Sequence, residues 1–498
     1  MIRFKAGRAL ALALAVIAAS PLAAKDAPIS EADLRAHIAI LASDEFEGRA
    51  PGTPGETKAI TYISQQWANA GLKGGMPDGS WFQPVTLGET RAGEQRMTLS
   101  GKGAGAMFDG DAVMLWTDRP HAELSKLPMI FTGTGLDADG RAIGRVKGKA
   151  VLVLYTDPVT GKRIDMDKTS AVLAAAGARA VIGITSENFP WGGYKRAYAK
   201  RVQLNPQPAP LAISGLLRAP TATTLFTANG LDLAKLSADA GKPGFKPVSL
   251  RSHVSLAASS EGRQFDSYNV IAKLPGKLGA KNGVLLFMGH WDHLGLCRPE
   301  GDADRICNGA VDNASGIAVL IEAAKRLAKG PELDRDIYFV ATTAEEKGLL
   351  GAKAFAEKPP VPLERIVAAF NIDTIAVAPK GEKVAIIGRG TTGLDSDIDR
   401  VSVAMGRKPE MGTDSNVMIQ RQDGWALKAK GVPMVMVSGS FADMKKLETY
   451  LGGDYHGPKD EPGDKIILSG AAEDADLHVA LARHFGSLKA WPGPVLVQ

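Results

Sequence analysis

From Ser267 onward, short unbroken apolar runs alternate with stretches in which apolar residues recur every third or fourth position. Ser267-Tyr-Asn-Val-Ile-Ala-Lys-Leu274, Val284-Leu-Leu-Phe-Met288, Ile337-Tyr-Phe-Val-Ala-Thr342, Ile366 to Ile372, Val384-Ala-Ile-Ile387 and Pro433-Met-Val-Met-Val437 read as strands. Ala314 to Ala328 and Leu349 to Glu357 read as amphipathic helices. Strands apolar on both faces and separated by helices predict an α/β domain: a mixed, largely parallel β-sheet between helices. In such a sheet functional groups collect where strands end at their carboxyl edge.

The first half of the chain has a different texture. Ser30 can cap a helix that begins at Glu31, and Thr57 to Ala70 repeats apolar residues at helical spacing, with the rigid polar loop Glu47 to Gly55 between them. Beyond Phe108 come short apolar strands separated by glycines, as in Val113-Met-Leu-Trp116, Pro128-Met-Ile-Phe131, Ala150 to Tyr155 and Ala180 to Ile184. This β-rich segment with few helices, residues 108–258, carries no cluster of His, Asp and Glu and reads as a scaffold or lid. It divides one domain into two parts, 25–107 and 259–498.

At 498 residues the chain exceeds what one hydrophobic core usually organises. Its 45% hydrophobic and 23% charged residues are those of an ordinary globular protein. Residues 1–24 combine a basic start, an apolar run and small residues up to Ala24, the pattern of a cleaved signal peptide and hence of a periplasmic or secreted protein. No Cys lies near that point, so no lipid anchor is expected, and no apolar stretch is long enough for stable membrane insertion. Loss of Arg3, Lys5 and Arg8 lowers the formal charge from +5 to +2, too weak a bias to suggest nucleic acid. The two cysteines, Cys297 and Cys307, are close in sequence, and in an exported chain they are expected to form a disulfide.

Metal-binding residue types fall beside the predicted strands. His290 follows one strand, Glu345 and Glu346 a second, and Asp373 closes a third. Two acids directly after a largely apolar strand are hard to explain unless a cation meets them. Asp312 precedes the Ala314 helix, where Asp312 or Asn313 could equally be its cap. His456 lies in a late polar loop, Tyr455-His-Gly-Pro-Lys-Asp460. Two divalent cations need imidazole and carboxylate ligands, one carboxylate to bridge them and a free one to accept a proton from water. His290, Asp312, Glu346, Asp373 and His456 supply the metal ligands, and Glu345 the free base. Asp292 is expected to orient His290, and Asp460 to orient His456, as carboxylates do behind ligating imidazoles. His293 reads as pocket lining.

The set GHWDHLG, VDNASG, AEEKG, NID and DYHGPKD resembles the co-catalytic zinc exopeptidases of peptidase family M28, which include bacterial leucyl aminopeptidases and glutamate carboxypeptidases. The resemblance covers Ser267 to about Trp491 and extends to the N-terminal LASDEFEGRAPGTPGE segment. It implies the zinc exopeptidase fold, with residues 108–258 as an inserted protease-associated domain that could narrow access to the site. It also implies two zinc ions, one held by His290 and Asp373 and the other by Glu346 and His456, with Asp312 bridging and Glu345 as general base. The implied activity is that of an exported aminopeptidase acting on peptides. A carboxypeptidase or dipeptidase on the same scaffold is the nearest rival. A single-zinc cyclase or acyltransferase and a non-catalytic binding module are more distant, since neither needs the whole ligand set. Two features depart from the family pattern: Gly424 stands after Asp423 where relatives carry His or Gln, and Phe441 to Gly453 is longer than usual.

Overall fold

The computed structural model describes residues 27–101 and 106–494. The expected signal peptide lies outside them. In the carboxyl-terminal half the strands stand in the order Ala385–Ile387, Met434–Ser438, Ile366–Asn371, Val284–His290, Asp336–Thr342 and Val248–Leu274. The four inner strands are parallel. The first and last run antiparallel to their neighbours. The sheet is therefore mixed and largely parallel, as its doubly apolar strands predict.

Alternate residues of each strand serve opposite faces. Leu285, Phe287, Phe339 and Phe370 pack with Ile317, Leu320 and Ile321 of the Ser315–Lys329 helix and with Leu477, Leu481 and Phe485 of the Leu468–Gly486 helix. Leu286, Met288, Val340 and Ala369 pack on the other side with Phe355 of the Leu350–Glu357 helix and with Leu427. The N-terminal helices Glu31–Leu41 and Pro54–Asn69 join the first of these cores through Leu34, Ile38, Ile63 and Trp67. Ser30 caps the first helix, its Oγ accepting the Asp33 N–H at 3.1 Å. The second begins at Pro54, ahead of the expected Thr57, because a proline is pre-set for the first helical turn.

The middle segment departs from expectation in two ways. The Val248–Leu274 strand runs unbroken through Ser259, where the Pro- and Gly-punctuated sequence suggested a boundary. It pairs antiparallel with Phe82–Ser100 over most of its length and absorbs the irregular sequence as a register shift between Ala258 and Ser260. This two-stranded ribbon carries the sheet on to His121–Phe131, Ala150–Leu154, Ala180–Ile184, Ile213–Leu217 and Val113–Trp116, around a second hydrophobic core. The segment also holds four helices, Met166–Ala175, Trp191–Ala199, Ala219–Ala228 and Leu233–Ala240. Their alanine- and threonine-rich sequences bury few large residues, so their periodicity is faint.

Candidate metal centre

The carboxyl ends of neighbouring parallel strands bring the candidate ligands together. His290 closes its strand opposite Thr342, and Met288 pairs with Asn371, two residues before Asp373. After Thr342 the chain turns sharply at Ala344, which has φ 52°, and delivers Glu345 and Glu346. At the start of the Ser315–Lys329 helix the capping role falls to Asn313, whose Oδ1 accepts the Gly316 N–H at 3.0 Å. That leaves the buried Asp312 carboxylate free.

Asp312 stands at the centre. Its Oδ1 is 3.1 Å from His290 Nε2, and the same nitrogen is 3.5 Å from Asp373 Oδ1. Its Oδ2 is 3.3 Å from His456 Nε2, which is 3.0 Å from Glu346 Oε2. Zinc bonds of about 2.0–2.2 Å allow two donors on one ion to lie up to about 4.3 Å apart, so each of these contacts fits a shared cation. Glu346 Oε1 is buried without a hydrogen-bond partner, as a ligand oxygen would be. The residues present fit two divalent cations, one on each oxygen of Asp312.

The supporting groups differ from the sequence expectations. His290 Nδ1 lies 3.0 Å from the backbone carbonyl of Asp292 and 3.9 Å from its carboxylate. The Asp292 carboxylate instead accepts the Glu345 N–H at 3.0 Å and so fixes the proposed base. Asp460 accepts the Val311 and Asp312 N–H groups at 2.9 and 3.1 Å and the Tyr450 hydroxyl at 3.0 Å, holding the central Asp312 rather than His456. The Cys297–Cys307 disulfide is formed, and Cys307 Sγ lies 3.7 Å from the His456 carbonyl.

Arg49 was not singled out by sequence. It is buried beneath the ligands, and its guanidinium donates to the carbonyls of Leu41, Trp291, Asn308 and Gly309 at 2.6–2.9 Å. Burial lowers its pKa to about 10, against the pull of Asp460, Asp292, Asp312 and Glu346. It remains a cation under a group of acids and ties the loops bearing His290 and Asp312 to the first helix. The only sequence signal was an arginine set among small residues in Glu47-Gly-Arg-Ala-Pro51.

Electrostatics separate the acids. Burial raises Glu345 well above the usual carboxylate range; Asp423, Asp373 and Glu346 reinforce this while His290 opposes it. Burial and Asp312 also act to raise Glu346, but His293 and His456 overcome them and hold it at about 2. Burial disfavours charge on both imidazoles, yet Asp373, Glu345 and Asp312 hold His290 well above the ordinary value. Asp312 and Glu346 raise His456 to about 9. The raised values favour the protonated imidazoles in the metal-free protein, whereas a ligand must be neutral. Zinc binding at pH 7 is expected to release protons, and affinity to climb as pH rises toward 9 through the His456 value. Calorimetric titration in buffers of different ionisation enthalpy measures that release. The metal-free fold has the opposite sign: the contribution of raised His456 is complete below about 6.5 and is lost as pH passes about 9.

A small cavity of about 30 Å³ opens onto His290, Asp312, Glu345 and Asp373. Met418, Met436, Phe441, Leu447, Leu451 and Tyr455 form one apolar wall, and Thr374, Arg421 and Gln422 add polar groups. The long Phe441 to Gly453 stretch therefore builds one side, through the Met444–Leu451 helix. Asp423 is buried with its carboxylate accepting the Thr342 hydroxyl, and burial raises its pKa to about 7.

The strand ends of a mixed, largely parallel sheet thus gather imidazoles and carboxylates around one shared aspartate in an α/β protein. The model of peptidase family M28 matches residues 269–476 of the chain. The chain is similar to the probable lipoprotein aminopeptidase LpqL of Mycobacterium tuberculosis, with 32% identity over 124 residues, 25% of this chain and 22% of that protein. It is also similar to a putative aminopeptidase of Acetivibrio thermocellus, with 48% identity over 67 residues, 12% of this chain and 19% of that one. These matches span only about a fifth of each curated relative's length. In fold it is similar to the aminopeptidase from Aneurinibacillus sp. strain AM-1, with TM-score 0.59 and 20% identity, covering 91% of this chain and 94% of that one. Among the described residues no helix is long and apolar enough to cross a membrane.

Proposed function

We propose that this chain is an exported two-zinc aminopeptidase that removes N-terminal residues from peptides. The observation that carries the reading is the division of donors about Asp312: His290 and Asp373 meet at one oxygen, Glu346 and His456 at the other. When bound, the two zinc ions supply Lewis acidity for activating water and polarising a carbonyl. The Glu345 carboxylate takes the proton of the attacking water and returns it to the leaving amine. A raised pKa suits that shuttle, because it makes the carboxylate a stronger proton acceptor than an ordinary glutamate. The Asp292 carboxylate holds the Glu345 backbone in place, and the apolar wall of the cavity faces the side chain of the residue removed. Residues 108–258 act as a protease-associated insert bordering the site. Export to the periplasm or beyond is supported by the residue 1–24 pattern and by the disulfide.

A dipeptidase or carboxypeptidase is favoured by one feature, Arg421, which lines the same cavity and could receive a substrate carboxylate. Amino-acid anilides and matched N-blocked peptides separate the readings, with zinc content measured in parallel. An aminopeptidase cleaves the anilides and is at least about 100-fold slower on blocked substrates, since a site built to bind a charged group discriminates strongly against its absence. Equal cleavage of both would end the aminopeptidase reading.

A further inference from the structure

We infer that His293 is a sixth protein donor to the metal centre, completing the set around the position shared by Asp312 Oδ2, Glu346 and His456; this rests on the two-metal reading above. His293 does not line the cavity, contrary to the sequence expectation. It is fully buried, and neither ring nitrogen has a hydrogen-bond partner. Its Nδ1 nevertheless lies 2.7 Å from Glu346 Oε1, an oxygen equally without a hydrogen bond. The contact lacks hydrogen-bond geometry, so neither buried atom is satisfied by the other and both remain available to a shared cation. Nδ1 is also 3.8 Å from Asp312 Oδ2, within the roughly 4.3 Å that two donors on one zinc ion can span. His293, Asp312 and Glu346 can each offer one ligand atom such that all three lie within 4.8 Å of one another.

The ring is held where it stands. Gly309, at φ 60°, packs against it so closely that a Cβ there would fall 2.5 Å from His293 Cγ. The Gly309 carbonyl in turn accepts from Arg49 at 2.9 Å. The resulting centre is asymmetric. His290, Asp312 and Asp373 line the cavity, whereas His293, Glu346 and His456 do not. Three protein donors on one ion leave a position open for substrate, whereas His293 with Asp312, Glu346 and His456 makes four donors and fills the second. The closed position is therefore the tighter and less exchangeable of the two.

The test is zinc binding by metal-free wild type, His293→Leu and His293→Asn, in competition with a chromophoric chelator. Visible absorption of the cobalt-loaded proteins and circular dichroism of the metal-free ones accompany it. Wild type should bind two ions, one more tightly. In His293→Leu the tighter ion should weaken at least about 10-fold, since loss even of groups that only orient a ligand costs 10- to 100-fold. The cobalt spectrum of that position should change as well. His293→Asn, which keeps an N–H near Nδ1 but no imidazole lone pair, should fail to restore binding; it also carries the test if the leucine variant does not fold. Wild-type affinities and spectrum in His293→Leu, or full restoration by His293→Asn, would overturn the inference while leaving two metals in place. A wild-type chain that binds no zinc would remove the two-metal reading itself.

Discussion

Replacing Glu345 by alanine should leave two zinc ions bound and lower kcat by about 10²- to 10⁴-fold, the usual contribution of a positioned general base. No salt bridge joins Glu345 to a candidate ligand imidazole among the described residues, so its loss removes no donor. Its backbone N–H still reaches Asp292 in the variant, so the turn that presents Glu346 is kept. The fall should be confined mainly to kcat, because an interaction made only in the transition state leaves substrate binding largely intact. Burial of the carboxylate makes Glu345→Gln a close steric match, and it should be as impaired as alanine. Steady-state kinetics with metal analysis on the same samples checks this. Normal turnover in either variant would remove Glu345 from its role.

The second large effect is expected at Asp312, whose substitution by alanine should weaken zinc binding at least about 100-fold, because one carboxylate serves both positions and outer groups alone account for 10- to 100-fold. The neighbouring charges sharpen the effect. Although burial raises its pKa, hydrogen bonds from His290 and His456 hold Asp312 well below the ordinary carboxylate range, so it is fully ionised at neutral pH. Without it His290 loses its nearest carboxylate and His456 one of two, and the two donor groups no longer share a residue. Activity should fall to background. Full zinc occupancy in Asp312→Ala, measured by elemental analysis after dialysis, would reject the bridging role.

The residues that sequence disclosed are those for which strand geometry leaves few choices. His290, Glu345, Glu346 and Asp373 all follow runs apolar on both faces, where an acid or imidazole has no solvent-facing side to occupy. Asp312 and Asn313 could not be told apart by pattern, because either can cap a helix; only the Asn313 contact with Gly316 assigns the cap. The main-chain contacts of Asp292 and Asp460 were not legible, because N–H groups that donate to a carboxylate leave no trace in the order of side chains. His293 depended on how the loop after His290 turns. The Val248–Leu274 strand was hidden because Ser259, Ser260 and Gly262 resemble punctuation, whereas a long ribbon tolerates them at one irregular step.

Arg49 has a consequence for what must fold together. Every carbonyl that satisfies its guanidinium comes either from the first helix or from the loops bearing His290 and Asp312. A polypeptide trimmed to start at Ser267 would keep all the donors yet lose the cationic strut beneath them. The smallest autonomous unit of this chemistry therefore extends well upstream of its recognisable motifs, across the whole intervening stretch.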